Sequence, residues 1–343
     1  MSSLRVLDHV VQDVVFDDVG APPWPHQPTV EWQVVGQCNY DCSYCIQSKK
    51  HRVGISADDD LHRAIDFLAA LPVERGRPWE IKTTGGEPFS FRGFLDVVVP
   101  GLMDRTPHAM STLTNLSAPP TILRRFAHKT RGRLRVVSAS LHLEHTTPAA
   151  FLARLQALGD AVDDDVRIVV NAVLVPDRLS LVRAAQLAVE AAGFRFFPQL
   201  MKVKGGVFAY SPAQFLLVKD IVGDLDEAAR TRSANLAPAY TGRRCWAGAR
   251  YLVLTKEGEA WSCRTAKRHG EGFLGSVFAS SSSSLSSSSP SSSPSPLLSA
   301  VKLHPGARAC PYTICPCATP ANRGMIEGVA SKAALDALLD EDA

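Results

Sequence analysis

The sequence predicts an α/β fold: a partial (β/α)6, TIM-like barrel of parallel strands with a small C-terminal Cys-rich hairpin extension. Six short apolar runs alternate with segments of helical period between residues 30 and 203. The chemistry-bearing residues cluster just after those runs, at the strand ends where parallel α/β folds hold their ligands. The late cysteines surround a hairpin signature.

Residues 1–29 carry Pro22, Pro23, Pro25 and Pro28, so the lead-in is irregular. The first strand is Val30-Glu31-Trp32-Gln33-Val34-Val35. Ser56-Ala57-Asp58-Asp59 starts a helix, with Ser56 as N-cap and acids in its first turn, and Leu61, Ile65, Leu68 and Leu71 continue it. The second strand, Trp79 to Thr84, runs into Gly85-Gly86-Glu87-Pro88 and a helix over Phe94 to Met103. His108 to Leu113 is the third strand, ending at Thr114-Asn115, with a helix over Ile122 to His128. Leu134 to Leu141 and the helix Pro148 to Leu158 make the fourth unit. Val166 to Val175, largely apolar apart from Arg167 and Asn171, reads as a strand covered on both faces. A helix over Leu179 to Ala192 and a sixth strand, Phe194 to Leu200, complete the barrel.

Cys38-Asn39-Tyr40-Asp41-Cys42-Ser43-Tyr44-Cys45 follows the first strand directly. Three thiolates on one loop suit a [4Fe–4S] cluster with one iron left open for a ligand. The alternatives are a zinc site of three cysteines with His51 or His62, and buried free thiols. In Gly85-Gly86-Glu87-Pro88 the glycines allow backbone carbonyls close to an ammonium, and Glu87 supplies negative charge.

The C-x3-C-x2-C loop, with aromatic Tyr44 before its third cysteine, and the GGEP turn together resemble the radical SAM superfamily. The resemblance implies a [4Fe–4S] cluster on Cys38, Cys42 and Cys45 and S-adenosylmethionine held by Gly85, Gly86, Glu87 and Pro88. It further implies reductive cleavage of that cofactor to a 5′-deoxyadenosyl radical that abstracts a substrate hydrogen. Asn115 resembles the Thr-Asn turn after the family's third strand, or is a plain turn residue. Ser140 and His142 fall where the family commonly places groups touching the methionine carboxylate or ribose. Asn171 either reads the cofactor or is a satisfied amide. His142, Glu144 and His145 are the weak catalytic candidates, and Gln199 and Lys202 weak candidates for substrate contact.

Residues 204–244 form a connector with an amphipathic helix over Pro212 to Arg230. In 245–330, Cys245-x12-Gly258-x4-Cys263 frames a hairpin at Lys256-Glu257-Gly258-Glu259, and Cys310, Cys315 and Cys317 follow. This resembles the start of the SPASM and twitch extensions, which hold auxiliary clusters. Five cysteines allow one auxiliary four-cysteine site with one spare; zinc is the alternative metal. Residues 280–296, with 13 serines, three prolines and one leucine, read as a disordered insertion, and 331–343 as a helical tail.

The balance of 37 basic against 34 acidic residues gives no case for nucleic acid. No apolar run suits a signal peptide or a membrane span, and eight cysteines without a secretory signal point to reduced thiols in the cytoplasm. The leading substrate class is a ribosomally made peptide that is crosslinked or oxidised, with a flavodoxin or ferredoxin as electron donor. The alternatives are a small-molecule dehydrogenase and a non-enzymatic Fe–S or zinc protein, against which GGEP weighs.

Overall fold

A computed structural model describes residues 27–47, 52, 54, 56–74, 76–203, 206–222, 240–278, 300–313, 319–320 and 323–327. The barrel units are β1 (Thr29–Val35), α1 (Asp58–Ala69), β2 (Glu80–Gly85), α2 (Val99–Arg105), β3 (Ala109–Thr114) and α3 (Pro120–Lys129). They continue through β4 (Leu134–Leu141), α4 (Pro148–Gly159), β5 (Arg167–Leu174), α5 (Leu179–Ala191) and β6 (Arg195–Leu200). Neighbouring strands from β1 to β6 pair in parallel and in sequence order, as the alternation predicts.

After β6 come β7 (Lys202–Val203), β8 (Gly206–Val207), α6 (Pro212–Val222), β9 (Arg244–Cys245), β10 (Tyr251–Leu254) and β11 (Glu259–Trp261). Then follow α7 (Arg264–Arg268), β12 (Phe273–Ser276) and β13 (Arg308–Ala309). The expected hairpin exists, but it continues the main sheet. β10 lies parallel to β1, with Thr29 opposite Tyr251, and β11 and β12 extend outward antiparallel. The nine-stranded sheet therefore has β12 and β6 at its edges. Gly258 makes the hairpin turn at φ +76, a left-handed conformation that favours glycine.

Alternation along the strands sorts side chains to two faces. Val30, Trp32, Val34, Ile81, Met110, Val137 and Val170 are buried in the outer core with Ile65, Phe67, Leu68 and Phe126 of the helices. Each large apolar side chain removed from water there contributes about 1.5–3 kcal/mol. The other face carries Glu31, Lys82, Ser138, Asn171 and Gln199, which line a cavity. β5 thus departs from the expected double cover: Val169, Asn171 and Val173 are only half-buried because that face meets the cavity.

Ser56 is not the cap of α1. Ala57 holds that place with no side-chain bond, while the Ser56 hydroxyl turns to the Val34 and Lys256 carbonyls; Asp58, Asp59 and Asp60 provide the acidic first turn. The helix expected from Phe94 opens as a π-helical turn over Phe94–Val98 before α2. Pro100 explains it: without an N–H, it gives the Asp96 carbonyl no α-helical partner. α6 joins the same core through Val218, Ile221 and Val222. Its expected continuation to Arg230, the serine run and the C-terminal tail lie outside the described residues. Among the described residues, no helix is long and apolar enough to cross a membrane.

Candidate functional site

The loop after β1 is pinned by the turn after β2. The Gly86 N–H donates to the Val35 carbonyl and the Glu87 N–H to the Gln37 carbonyl, both at 2.9 Å. A Cβ on Gly85 would lie 2.1 Å from the Val35 oxygen, and one on Gly86 1.9 Å from the Gln37 oxygen. Both glycines are therefore required by backbone packing against the chain that leads into Cys38. The Gly85 carbonyl accepts from Gln47 Nε2 at 3.1 Å.

Cys38, Cys42 and Cys45 line one pocket of about 250 Å3. Burial raises the pKa of the Cys38 thiol, and burial followed by the charges of Cys38 and Cys45 pushes Cys42 up to about 12. A cationic metal centre bound between such thiols would replace their protons. The compact donor group here is Cys42, Glu144 and His145, whose ligand atoms lie within 4.8 Å of one another. Cys38 and Cys45 stand outside that group, whereas thiolates on one zinc ion would sit ~3.8 Å apart, given ~2.3 Å bonds. Three thiols on one short loop at the edge of one pocket could hold a cluster. His62 does not approach them; its ring lies 3.2 Å from Arg105, and His51 is outside the described residues.

His142, Glu144 and His145, the catalytic candidates, turn to the cysteine loop. Ser43 donates to Glu144 from its N–H at 2.8 Å and from its hydroxyl at 2.5 Å. Tyr40 stacks on His145 with centroids 4.5 Å apart. His142 Nδ1 lies 2.9 Å from the Tyr44 hydroxyl and 3.3 Å from Cys42 Sγ. Burial lowers the His142 pKa to about 4, which keeps the ring neutral. These contacts join all three to the cysteine loop.

Glu87 is buried at the pocket's edge. Its carboxylate accepts from the Phe89 N–H at 3.1 Å, the Thr114 hydroxyl at 2.8 Å and the Asn115 N–H at 2.5 Å. Burial outweighs these donors and raises its pKa to about 7. Asn115 Nδ2 donates to Asn39 Oδ1 at 2.8 Å, so the β3 turn also grips the cysteine loop. The next residue, Leu116, takes φ +54 and is the one non-glycine residue at positive φ among the described residues.

Gly85, Gly86, Glu87, Asn115, Ser140 and Asn171 line the same pocket as the three cysteines. Pro88 is buried behind it, opening a short 3-10 turn over Pro88–Ser90. Asn171 Nδ2 donates to Ser138 at 2.7 Å and its Oδ1 accepts from Gln199 at 3.4 Å, which favours the satisfied-amide reading. Asn171, Gln199 and Lys202 also line a second cavity of about 710 Å3, so the pocket opens into the barrel interior.

Glu31 and Glu80 in that interior were missed from the sequence. Glu31 accepts from the Thr319 hydroxyl at 2.6 Å and the Tyr251 hydroxyl at 2.8 Å, and pairs with Arg264 at 2.5 Å and Lys82 at 3.6 Å. Burial alone would raise its pKa, but Arg264, Lys82 and the hydroxyls hold it at about 2. Glu80 pairs with Arg323 at 2.6 Å and accepts from Ser111 at 2.7 Å. A signal was present: the polar residues Glu31 and Gln33 alternate with Val30, Trp32 and Val34, which marks an inward polar face.

In the extension, Cys245 on β9 pairs with Arg308 of β13, next to Cys310. Cys263 caps α7 by accepting the Ala266 N–H at 3.3 Å, and burial followed by the Cys310 charge raises its pKa. Cys315 and Cys317 lie outside the described residues.

No protein-family model and no curated protein sequence matches the chain. Solved structures do. Native anSMEcpe with bound AdoMet and Cp18Cys peptide aligns at TM-score 0.50 and 15% identity, over 74% of this chain and 78% of that one. Streptococcus suis SuiB bound to S-adenosylmethionine aligns at TM-score 0.52 and 12% identity, over 75% of this chain and 64% of that one. At such identities the likeness speaks for the fold alone, a mostly parallel α/β sheet with helices that the chain shares with both structures.

Proposed function

We propose that the chain is a radical SAM enzyme that acts on a ribosomally made peptide. The carrying observation is the single pocket shared by Cys38, Cys42 and Cys45, the GGEP turn and Ser140, open to a larger interior cavity. When bound, a [4Fe–4S] cluster with S-adenosylmethionine supplies one-electron cleavage and a 5′-deoxyadenosyl radical. The three cysteines would hold the cluster, and Glu87, with no cationic partner among the described residues, offers a carboxylate to the cofactor's ammonium. His142, Glu144, His145, Asn39 and Asn115 fix the loop that carries the cysteines. The barrel walls orient the substrate and keep water from the reacting carbon. Cys245, Cys263 and Cys310, with Cys315 or Cys317, would hold one auxiliary cluster.

The peptide class is supported by the large open cavity and by the peptide in the anSMEcpe structure. Anaerobic reconstitution with S-adenosylmethionine, dithionite and deuterated candidate peptides tests it. Deuterium transferred into 5′-deoxyadenosine, together with a changed peptide mass, is the expected result. Cofactor cleavage that puts no deuterium into 5′-deoxyadenosine and leaves every peptide's mass unchanged removes the peptide reading.

A further inference from the structure

We infer that Trp246 and Thr265 donate hydrogen bonds to the sulfur atoms of the auxiliary centre and raise its reduction potential. The inference rests on the auxiliary-cluster reading above and adds two donors to its cysteines. Four buried side-chain polar atoms have no hydrogen-bond partner among the described residues. Two are the Nε atoms of Arg154 and Arg178, whose guanidinium groups bond elsewhere, to the Thr146 hydroxyl and the Leu143 carbonyl. The other two are Trp246 Nε1 and Thr265 Oγ1. These residues are 4% and 3% exposed, so bulk water does not satisfy them. Leaving such donors unpaired in an interior is costly, and native folds rarely do it.

Both groups adjoin the late cysteines. Trp246 follows Cys245 directly, and Thr265 lies two residues after Cys263. Trp246 and Cys263 belong to one buried cluster with Tyr251, Val253, Ala266 and Met325. Cys310 lies beside them: its N–H donates to the Arg243 carbonyl at 2.9 Å, on the strand that carries Cys245, and its charge acts on Cys263. An apolar cluster of this kind offers a water molecule few of the polar partners it needs. The Trp246 indole can only donate, so its partner is an acceptor. Thiolate and sulfide sulfur in an iron–sulfur cluster are such acceptors. A bond donated to them strengthens as the cluster gains an electron, and so favours the reduced form.

The test is an anaerobic redox titration, followed by electron paramagnetic resonance, on the reconstituted full-length chain carrying Cys38/Cys42/Cys45→Ala. Dithionite supplies one electron to the auxiliary centre, and no proton moves and no bond breaks. Trp246→Phe keeps an aromatic ring and removes the N–H; Thr265→Val keeps the shape and removes the hydroxyl. Each should bind iron as the starting chain does and move the midpoint to a more negative potential. At the starting chain's midpoint, the reduced-to-oxidised ratio should fall about two- to tenfold. Thr265→Ser, which keeps the hydroxyl, should hold the original midpoint. If Trp246→Phe misfolds, the comparison of Thr265→Val with Thr265→Ser decides. An unmoved midpoint in the iron-loaded variants overturns the inference while the auxiliary cluster stands. Zinc, or no metal, in the starting chain removes the auxiliary cluster and the inference together.

Discussion

Two buried carboxylates, each at the inner face of this sheet, have opposite electrostatics. Glu31 lies between Arg264 and Lys82, and its pKa falls to about 2 although burial alone would raise it. Glu87 meets only N–H and O–H donors among the described residues, and burial raises its pKa to about 7. The first carboxylate has its counter-charges from the protein itself and fastens the extension to the barrel. The second lines the pocket of the three cysteines and meets no cation among the described residues, so a bound cation would complete its charge. Burial alone does not separate a structural acid from a binding acid; the source of the positive charge does.

That contrast breaks first at Glu31. Glu31→Gln leaves Arg264 and Lys82 facing a neutral amide, and removing one partner of a buried pair costs about 3–5 kcal/mol. Their side chains are 33% and 28% exposed, so solvent screening reduces the expected loss to about 2–3 kcal/mol. A denaturant melt measures it. The pH dependence follows from the lowered pKa. Stability from Glu31 is present above the unfolded value of 4.5 and is lost as pH falls through about 2, so parent and variant should converge on acidification. A constant difference would show that the pair contributes nothing through charge.

Glu87 has the reverse sign. With its pKa raised, its contribution is present below 4.5 and is lost as pH rises through about 7, unless a cation binds. Glu87→Gln should weaken S-adenosylmethionine binding by about 1.5–3 kcal/mol, roughly ten- to a hundredfold in Kd. Calorimetry should show the gap between parent and variant widening from pH 6 to pH 8, as the parent's carboxyl ionises. Equal affinities would move the cofactor's ammonium elsewhere.

A smaller effect is expected at Asn115. Asn115→Ala removes the side-chain bond to Asn39 and the one accepting the Ser117 N–H, at about 1–2 kcal/mol in total. Limited proteolysis of the cysteine loop should accelerate before the global melt shifts. An unchanged loop would show that the other contacts suffice.

Legibility in the sequence followed contact distance along the chain. The β4 boundaries, Leu134 and Leu141, were legible because the apolar run itself defines them. The cysteine site was legible because its three donors share eight residues. The roles of His142, Glu144 and His145 were not, since their partners lie about a hundred residues earlier in the chain. Glu31 reaches Tyr251, Arg264 and Thr319, more than two hundred residues on, through a β10–β1 pairing that no local period announces. Pro100 did carry a signal for the π-helical turn at Phe94, but helical spacing alone passes over it.

The central claim is that Cys38, Cys42 and Cys45, beside the GGEP turn, direct cleavage of S-adenosylmethionine. The direct measurement is 5′-deoxyadenosine formed under anaerobic reduction by the reconstituted parent and by the Cys38/Cys42/Cys45→Ala variant, with circular dichroism confirming that both are folded. The parent should form it and the folded variant should form none. Undiminished 5′-deoxyadenosine from that variant would contradict the account.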